Sequence, residues 1–487
     1  MHIYDFITDI EQNHLKIVAQ QAFNPERFEQ VLDHYQQRFL QSFENTSGNR
    51  VTLNITDKSR FLSNQLQEDI DVQAWMKEFL GVFKHDLPQI KKLMEDVIDC
   101  YYLFLRGRHH YAVMKMYDVL ERYEILDDCD EELLGLFFRC STVREHANLS
   151  DQSFYYHIPF NLRHLVKNQR FSFSGMPIWY GGASLIGSYY EMRKQELIEH
   201  PDIAISAWGF NPLCFRDNVK DKPVRPRTKV YDITNEIYDA INNNFYYYIK
   251  EEDPIRKKNL FSNYHFIYRI SIKTAIRKFV LSNLCTFKSI KVGASFHEEY
   301  VIPQLLTEAI RLHKYDGILF PSTQFAGKNV VFQGTSHINL YRSNLAMFTE
   351  YSQIDNYDES LIKNFEIEII SPDNIKDFDH NKGLSDAIEN LNWHRDFLLS
   401  QKMSKQKLQN RYIGLLNHLD KKLNIYQNLT VSDDKYLDSY VGKVEIKGIV
   451  EYLIFLGKGI RFVFDSEIEK YIKVEDETPK KKPFKNV

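Results

Sequence analysis

Cysteine is scarce in this chain. Five occur in 487 residues, Cys100, Cys129, Cys140, Cys214 and Cys285, an odd number with no CxxC pair among them. That argues against the paired spacing of a structural zinc site and points to reduced intracellular thiols. Long apolar runs are missing too: no uninterrupted segment approaches the roughly 18 residues that a spanning helix requires, so no membrane partner is expected. The opening MHIYDFITDIEQNH carries acids and a histidine where a secretory leader has a basic start and an apolar run, so the expected location is the cytoplasm. Charge of one sign is not in excess. Lys and Arg number 62 against 66 Asp and Glu, a formal charge of -4, which lacks the basic surplus that marks nucleic acid as a main partner. A dense basic cluster, Lys480, Lys481, Lys482 and Lys485, reads as a solvated terminus rather than a binding patch. The sequence contains no GxGxxG, no P-loop, no HExxH and no internal repeat.

What is present is an ordinary folding composition, 43% hydrophobic and 26% charged, in a chain long enough for two or three domains. Residues 1–130 read as a helical N-terminal domain. In PERFEQVLDHYQQRFL, Phe28, Val31, Leu32, Tyr35 and Phe39 recur at spacings of three and four and define one apolar face. A second helical block covers about 67–124. Within it Arg106, Arg108, His109 and His110 are consecutive enough to point around a helix instead of converging on one atom, so they read as a turn or surface cluster.

The acid-rich DDCDEE at 127–132 marks a boundary, after which the periodicity changes. LLGLFFRCS is a short apolar run ending in Arg139, the pattern of a buried strand delivering a charge at its edge. Further strand-like runs lie at 176–182, 203–210, 228–234, 317–322 and 329–334, separated by helical stretches at 235–249, 265–284 and 301–312. Residues 131–375 are therefore expected to form an α+β domain. Residues 376–487 are expected to form a C-terminal helical hairpin, near 384–400 and 403–427, followed by a small strand unit built from VGKVEI, IVEYLIFLGKG and IRFVF, then the basic tail.

The stretch RFSFSGMPIWYGGASLIGSYYE, Arg170 to Glu191, concentrates the candidate chemistry. Ser184 is a good N-cap for a helix that starts after Gly181 and Gly182, glycines that let backbone approach a ligand closely. Ser184, Ser188 and Glu191 share one stripe of that helix, which is either a groove wall or a solvated face. Arg170 offers a planar donor set suited to a pyrophosphate, and Tyr180 can stack on a flat heterocycle. Either is equally a surface ion pair or a core aromatic. Arg139, closing an apolar strand, must be paired or reach a ligand.

These residues, taken in order, resemble the RES domain family, named for an arginine, a glutamate and a serine, in its longer free-standing bacterial form. The resemblance covers roughly 131–350. FFRCS corresponds to the first arginine motif and gives Arg139. HIPFNLRHLVKNQRFSFSGMPIWYGGASLIGSYYE gives Arg170, Tyr180 and Glu191. YVIPQLLTEAIRLHKYDGILFPSTQFAGKNVVF gives Ser322, with Pro303, Gln304, Asp316, Gly317 and Asn329 as landmarks. Two departures stand out: WYGGAS replaces a tyrosine-leucine-glycine turn, and a long insertion separates Glu191 from Ser322.

The resemblance implies an ADP-ribosyltransferase-like fold and a toxin that consumes NAD by hydrolysis or phosphorolysis of the nicotinamide–ribose bond. It implies that Glu191 stabilises the oxocarbenium-like charge, that Arg139 and Arg170 neutralise the pyrophosphate or place an incoming phosphate, and that Ser322 bonds the nicotinamide ribose. Tyr180 would orient the nicotinamide, and Ser184 and Asn329 would complete the NAD contacts. NAD is then substrate rather than cofactor, no metal is needed, and inorganic phosphate and an antitoxin or regulatory protein are the further partners. Two other readings share these residues: an ADP-ribosyltransferase that modifies a macromolecule, and a non-enzymatic regulatory protein retaining the fold.

Overall fold

The computed structural model describes residues 27–44, 69–126, 135–143, 147–192, 197–215, 229–234, 248, 251–256, 272–289, 294–324, 343–400, 406–427 and 434–476. In chain order its main elements begin with helices α1 (Phe28–Glu44), α2 (Asp69–Leu105) and α3 (His109–Arg122). Next come β1 (Leu136–Thr142), β2 (Ile178–Gly182), α4 (Leu185–Glu191), β3 (Ile203–Phe210) and β4 (Val230–Asp232). They are followed by α5 (Ile272–Cys285), α6 (Val301–Leu312), β5 (Gly317–Pro321), β6 (Ser343–Phe348) and β7 (Phe365–Ile370). The last three are long helices, α7 (His380–Ser400), α8 (Gln406–Gln427) and α9 (Tyr440–Asp476). The protein is mixed α+β, and among the described residues no helix is long and apolar enough to cross a membrane.

The chain divides into two compact units whose segments alternate in sequence. The first takes Met1–Glu132, His157–Gly182 and Thr228–Tyr357; the second takes Leu133–Tyr156, Ala183–Arg227 and Asp358–Val487.

The first unit contains α1–α3, α5, α6 and strands in the order β4-β5-β6-β2, of which only β4 and β5 run parallel. The expected face of α1 is its buried face: Phe28, Val31, Leu32, Tyr35 and Phe39 all lie in the core. There Phe28 meets Tyr101 and Phe287 edge to face, a favoured aromatic geometry. Arg106, Gly107 and Arg108 form the turn between α2 and α3, with Gly107 at φ +74, a conformation that glycine adopts without a Cβ penalty. The basic residues around it are exposed, and the His109 ring stacks on Phe104 at 4.4 Å.

In the second unit β3 pairs with β1 on one side and β7 on the other, both antiparallel. The central strand, IAISAWGF, is buried along its whole length, as a continuous apolar run predicts for a strand with neighbours on both sides. β7, FEIEII, starts by alternating buried Phe365 and Ile367 with exposed Glu366 and Glu368, the period-2 pattern of a strand with one wet face. Helices α7 and α8 form the expected hairpin, with Tyr412, Leu415, Leu416, Leu419 and Leu423 buried.

The expected small strand unit at the C-terminal end is corrected: VGKVEI, IVEYLIFLGKG and IRFVF are one helix, α9. Its β-branched residues and glycines imitate strands and turns, but the buried set Ile446, Ile449, Leu453, Leu456, Ile460 and Val463 recurs every three or four residues. Two of its glycines mark close packing. A Cβ at Gly448 would press on the Phe138 ring of β1, and one at Gly459 would collide with the Tyr412 hydroxyl of α8.

The DDCDEE stretch, the runs at 235–247 and 329–334, the first 26 residues and the basic tail lie outside the described residues.

Candidate functional site

In the first unit Arg170 and Phe171 form the tip of a two-residue hairpin, closed by Gln169 N–H to Ser172 O at 3.0 Å and Ser172 N–H to Gln169 O at 3.3 Å. One buried side chain on α6 fixes this hairpin. The Gln304 amide nitrogen lies 2.7 Å from Asn168 Oδ1, 2.8 Å from Gln169 O and 3.1 Å from Ser172 O, so its two hydrogens serve three acceptors. One turn further along α6, Thr307 Oγ1 lies 3.2 Å from Phe171 O. Buried carbonyls need such donors, and this need accounts for Gln304 without any ligand.

Arg170 is half-buried. It donates to Cys285 O, the last carbonyl of α5, at 3.0 Å, and its guanidinium sits 4.9 Å over the Tyr300 ring. A cation suits the negative end of a helix, and stacking on an aromatic face steadies the fork. One of five donors is used on Cys285 O.

Tyr180, in mid-β2 and paired with Ala346 of β6, accepts from Phe171 N–H at 3.4 Å, so it meets the Arg170 hairpin. Burial pushes its phenol well above the usual value, while Ser172, the Phe171 amide and the Arg170 charge pull the other way. Tyr180 is therefore a neutral hydroxyl throughout the physiological range.

The neighbouring glycine has a packing reason of its own. A Cβ at Gly181 would collide with the ring of Trp179. The indole, fully buried, takes up the space on the Cβ side of Gly181. Ser322 follows β5, is 4% exposed, and accepts from Gln324 N–H at 3.2 Å. Its strand is tied to the Arg170 hairpin through Phe320 and Phe171, whose rings lie 4.4 Å apart.

Arg139, Ser184 and Glu191 belong to the second unit. Arg139 lies in β1 opposite Ser206 and donates to Tyr156 O at 3.2 Å. Burial pulls its guanidinium down to about 10, with Cys140 opposing the shift, so it remains a cation at neutral pH.

Ser184 is the expected N-cap of α4. It is fully buried and accepts from Gly187 N–H at 3.1 Å. Ser188 Oγ lies 3.0 Å from Phe138 O of β1 and 3.2 Å from Ser184 O. The polar stripe of α4 thus runs from buried hydroxyls, engaged in holding the helix, to an exposed carboxylate on its last residue, Glu191.

The structure brings Arg170, Tyr180 and the Ser322 strand together in one unit, and Arg139, Ser184 and Glu191 onto adjoining elements of the other. Asn329 lies outside the described residues. Sequence reasoning missed Tyr300, which carries no periodic signal just ahead of α6. It also missed Lys422 and Glu445, and here a signal was available. Lys422 lies three residues beyond Leu419 on the apolar stripe of α8, and Glu445 stands between Val444 and Ile446, so both are charges at core positions.

No family model matches this chain, and no solved structure matches it. It is similar to a Bacillus subtilis (strain 168) protein named Putative toxin YopC, with 26% identity over 289 residues, which cover 55% of this chain and 56% of that one. The chain therefore spans about half the length of the curated relative it matches.

Proposed function

We propose that this protein is a toxin of the RES type that cleaves the nicotinamide–ribose bond of NAD. The observation that carries the reading is the disposition of α4. Its first five residues are buried, its first turn is capped by side chains, and it ends in an exposed carboxylate, Glu191. Two arginines held half-buried by backbone carbonyls, Arg139 and Arg170, fit the same chemistry. The similarity to a protein named as a toxin is in keeping with it.

In the reaction the ribose C1′–N bond breaks and its electron pair returns to the pyridinium nitrogen, which leaves as neutral nicotinamide. Positive charge spreads over C1′ and the ring oxygen, and a carboxylate beside them lowers the barrier. A water or phosphate oxygen then bonds to C1′; with water, the proton goes to solvent. Glu191 supplies that carboxylate. The resemblance gives Arg139 and Arg170 the pyrophosphate oxygens, through charge-assisted hydrogen bonds, the neutral Tyr180 hydroxyl the nicotinamide, and Ser322 the ribose.

The test is purified protein with NAD, with and without inorganic phosphate and with candidate protein or nucleic-acid acceptors. Free nicotinamide with no labelled acceptor is expected. In Glu191→Ala its release should fall by about 100-fold or more with the fold retained, the scale of losing a group that acts in the transition state. A variant as active as its parent removes Glu191 from the mechanism. Labelled macromolecule makes the protein a transferase, and intact NAD ends the proposal.

A further inference from the structure

The first turn of α4 exposes amides that have no partner within the helix, and every one of Leu185, Ile186 and Gly187 is accounted for. Ser184 Oγ takes Gly187 N–H. Glu445 Oε1, reaching from α9, takes the amides of Leu185 and of Ile186, the latter at 3.4 Å. The other carboxylate oxygen accepts from the hydroxyls of Tyr426 and Tyr436, the second at 2.7 Å. Beside this carboxylate Lys422 of α8 donates to Ala183 O and to Leu136 O, both at 2.7 Å. Leu136 opens the strand that carries Arg139, and Ala183 precedes the helix that carries Glu191. Lys422 is 2% exposed and Glu445 is not exposed at all, so each charge depends on these partners and on the other.

We infer that Glu445 and Lys422 are positioning residues, which fix the start of α4 against the start of β1 and thereby set where Glu191 stands; the catalytic consequence rests on the NAD-cleaving reading above. A strand start and a helix start each held by a buried charge cannot drift independently. The arrangement also determines what α4 does not do. A helix N-terminus is a common seat for a phosphate, and here the protein's own carboxylate occupies it. The substrate's pyrophosphate is left to the arginines.

The experiment uses full-length protein and the variants Glu445→Gln, Tyr436→Phe and, as a control, Glu451→Gln, whose side chain on the same helix bonds Lys447 instead. Two quantities are read: hydrogen–deuterium exchange of the peptide 183–192, and steady-state NAD loss. In Glu445→Gln exchange in that peptide should rise about tenfold, the equivalent of one lost charge-assisted bond, with the remainder of the protein unchanged. The kcat for NAD should fall by a similar factor while KM stays within about twofold, since only transition-state alignment is disturbed. Tyr436→Phe, which keeps the charge and the volume, should show the same local pattern at a few-fold amplitude, and it serves if Glu445→Gln does not fold. Glu451→Gln should match the parent. Unchanged exchange at 183–192, a uniform rise across the protein, or local loosening with an unaltered kcat each overturns the inference. Should the parent itself leave NAD intact, the functional reading fails, and the exchange measurement still decides whether these two residues hold α4.

Discussion

In the first unit a neutral amide, Gln304, fixes the hairpin that carries Arg170, whereas in the second two opposite charges, Lys422 and Glu445, hold the elements that lead to Arg139 and Glu191. Both devices meet the same need, which is to satisfy backbone groups beside a residue with chemistry to perform. They differ in what happens when one partner goes. An amide leaves behind a few unmet carbonyls. A buried charge leaves behind another buried charge, so the framework around Glu445 should be more brittle than the Arg170 hairpin.

The sharpest way to break this contrast is Glu445→Ala. It strips the acceptor from two amides and two tyrosine hydroxyls and leaves Lys422 without its counter-charge, and a loss of about 3–5 kcal/mol is expected in urea unfolding. A loss below that of Gln304→Ala would invert the comparison.

Acid should probe the same unit next. Burial pulls His394 down to about 4 and His418 to about 3. Below an unfolded value near 6.5 the unfolded chain takes up protons that the folded one refuses, so stability present above pH 6.5 is lost as the pH falls. Each histidine should cost about 2 kcal/mol by pH 5. Glu445, raised by burial against the pull of its tyrosine, amide and lysine partners, works in the opposite sense, because protonation relieves part of the desolvation cost of a buried carboxylate. Glu366 and Glu368 of β7, also raised by burial, act in the same sense as Glu445; the two histidines are expected to outweigh them, giving a melting temperature that drops between pH 7 and pH 5. A flat profile would show that the imidazoles are not shielded.

The smallest of the three effects belongs to the first unit. Gln304→Ala should cost about 1–2 kcal/mol, the price of leaving buried carbonyls of the hairpin unmet. It should also raise KM for NAD, as Arg170 loses its fixed place.

Much of the fold was legible. The apolar face of α1, the α7–α8 hairpin and the runs that became β1, β2, β3 and β5 follow from periodicity, because burial of one face imposes a repeat that the sequence must obey. The alternation in β7 is an equally good signal, but a search for continuous apolar runs passes over it. α9 imitates three short strands because its glycines stand where turns would; in a helix packed this tightly they are contact surfaces for Phe138 and Tyr412. Of the candidate site, the capping role of Ser184 was readable from a serine before a helical run. The role of Gly181 was not, since nothing local reveals that Trp179 folds back over it. Lys422 and Glu445 lie 239 or more residues from their backbone partners on β1 and α4, and no local pattern carries that information.

The alternation of the two units along the chain has a consequence in time. The chain passes from one unit to the other after Glu132, Tyr156, Gly182, Arg227 and Tyr357, so neither unit corresponds to a stretch that a ribosome could finish and release to fold by itself. The helix bearing Glu191 leaves the tunnel more than 200 residues ahead of Lys422 and Glu445. Until Glu445 arrives, the first turn of that helix has no acceptor within the protein for two of its amides, and a nascent chain stalled before Asp358 carries every proposed NAD-binding residue without the framework that holds Arg139 and Glu191.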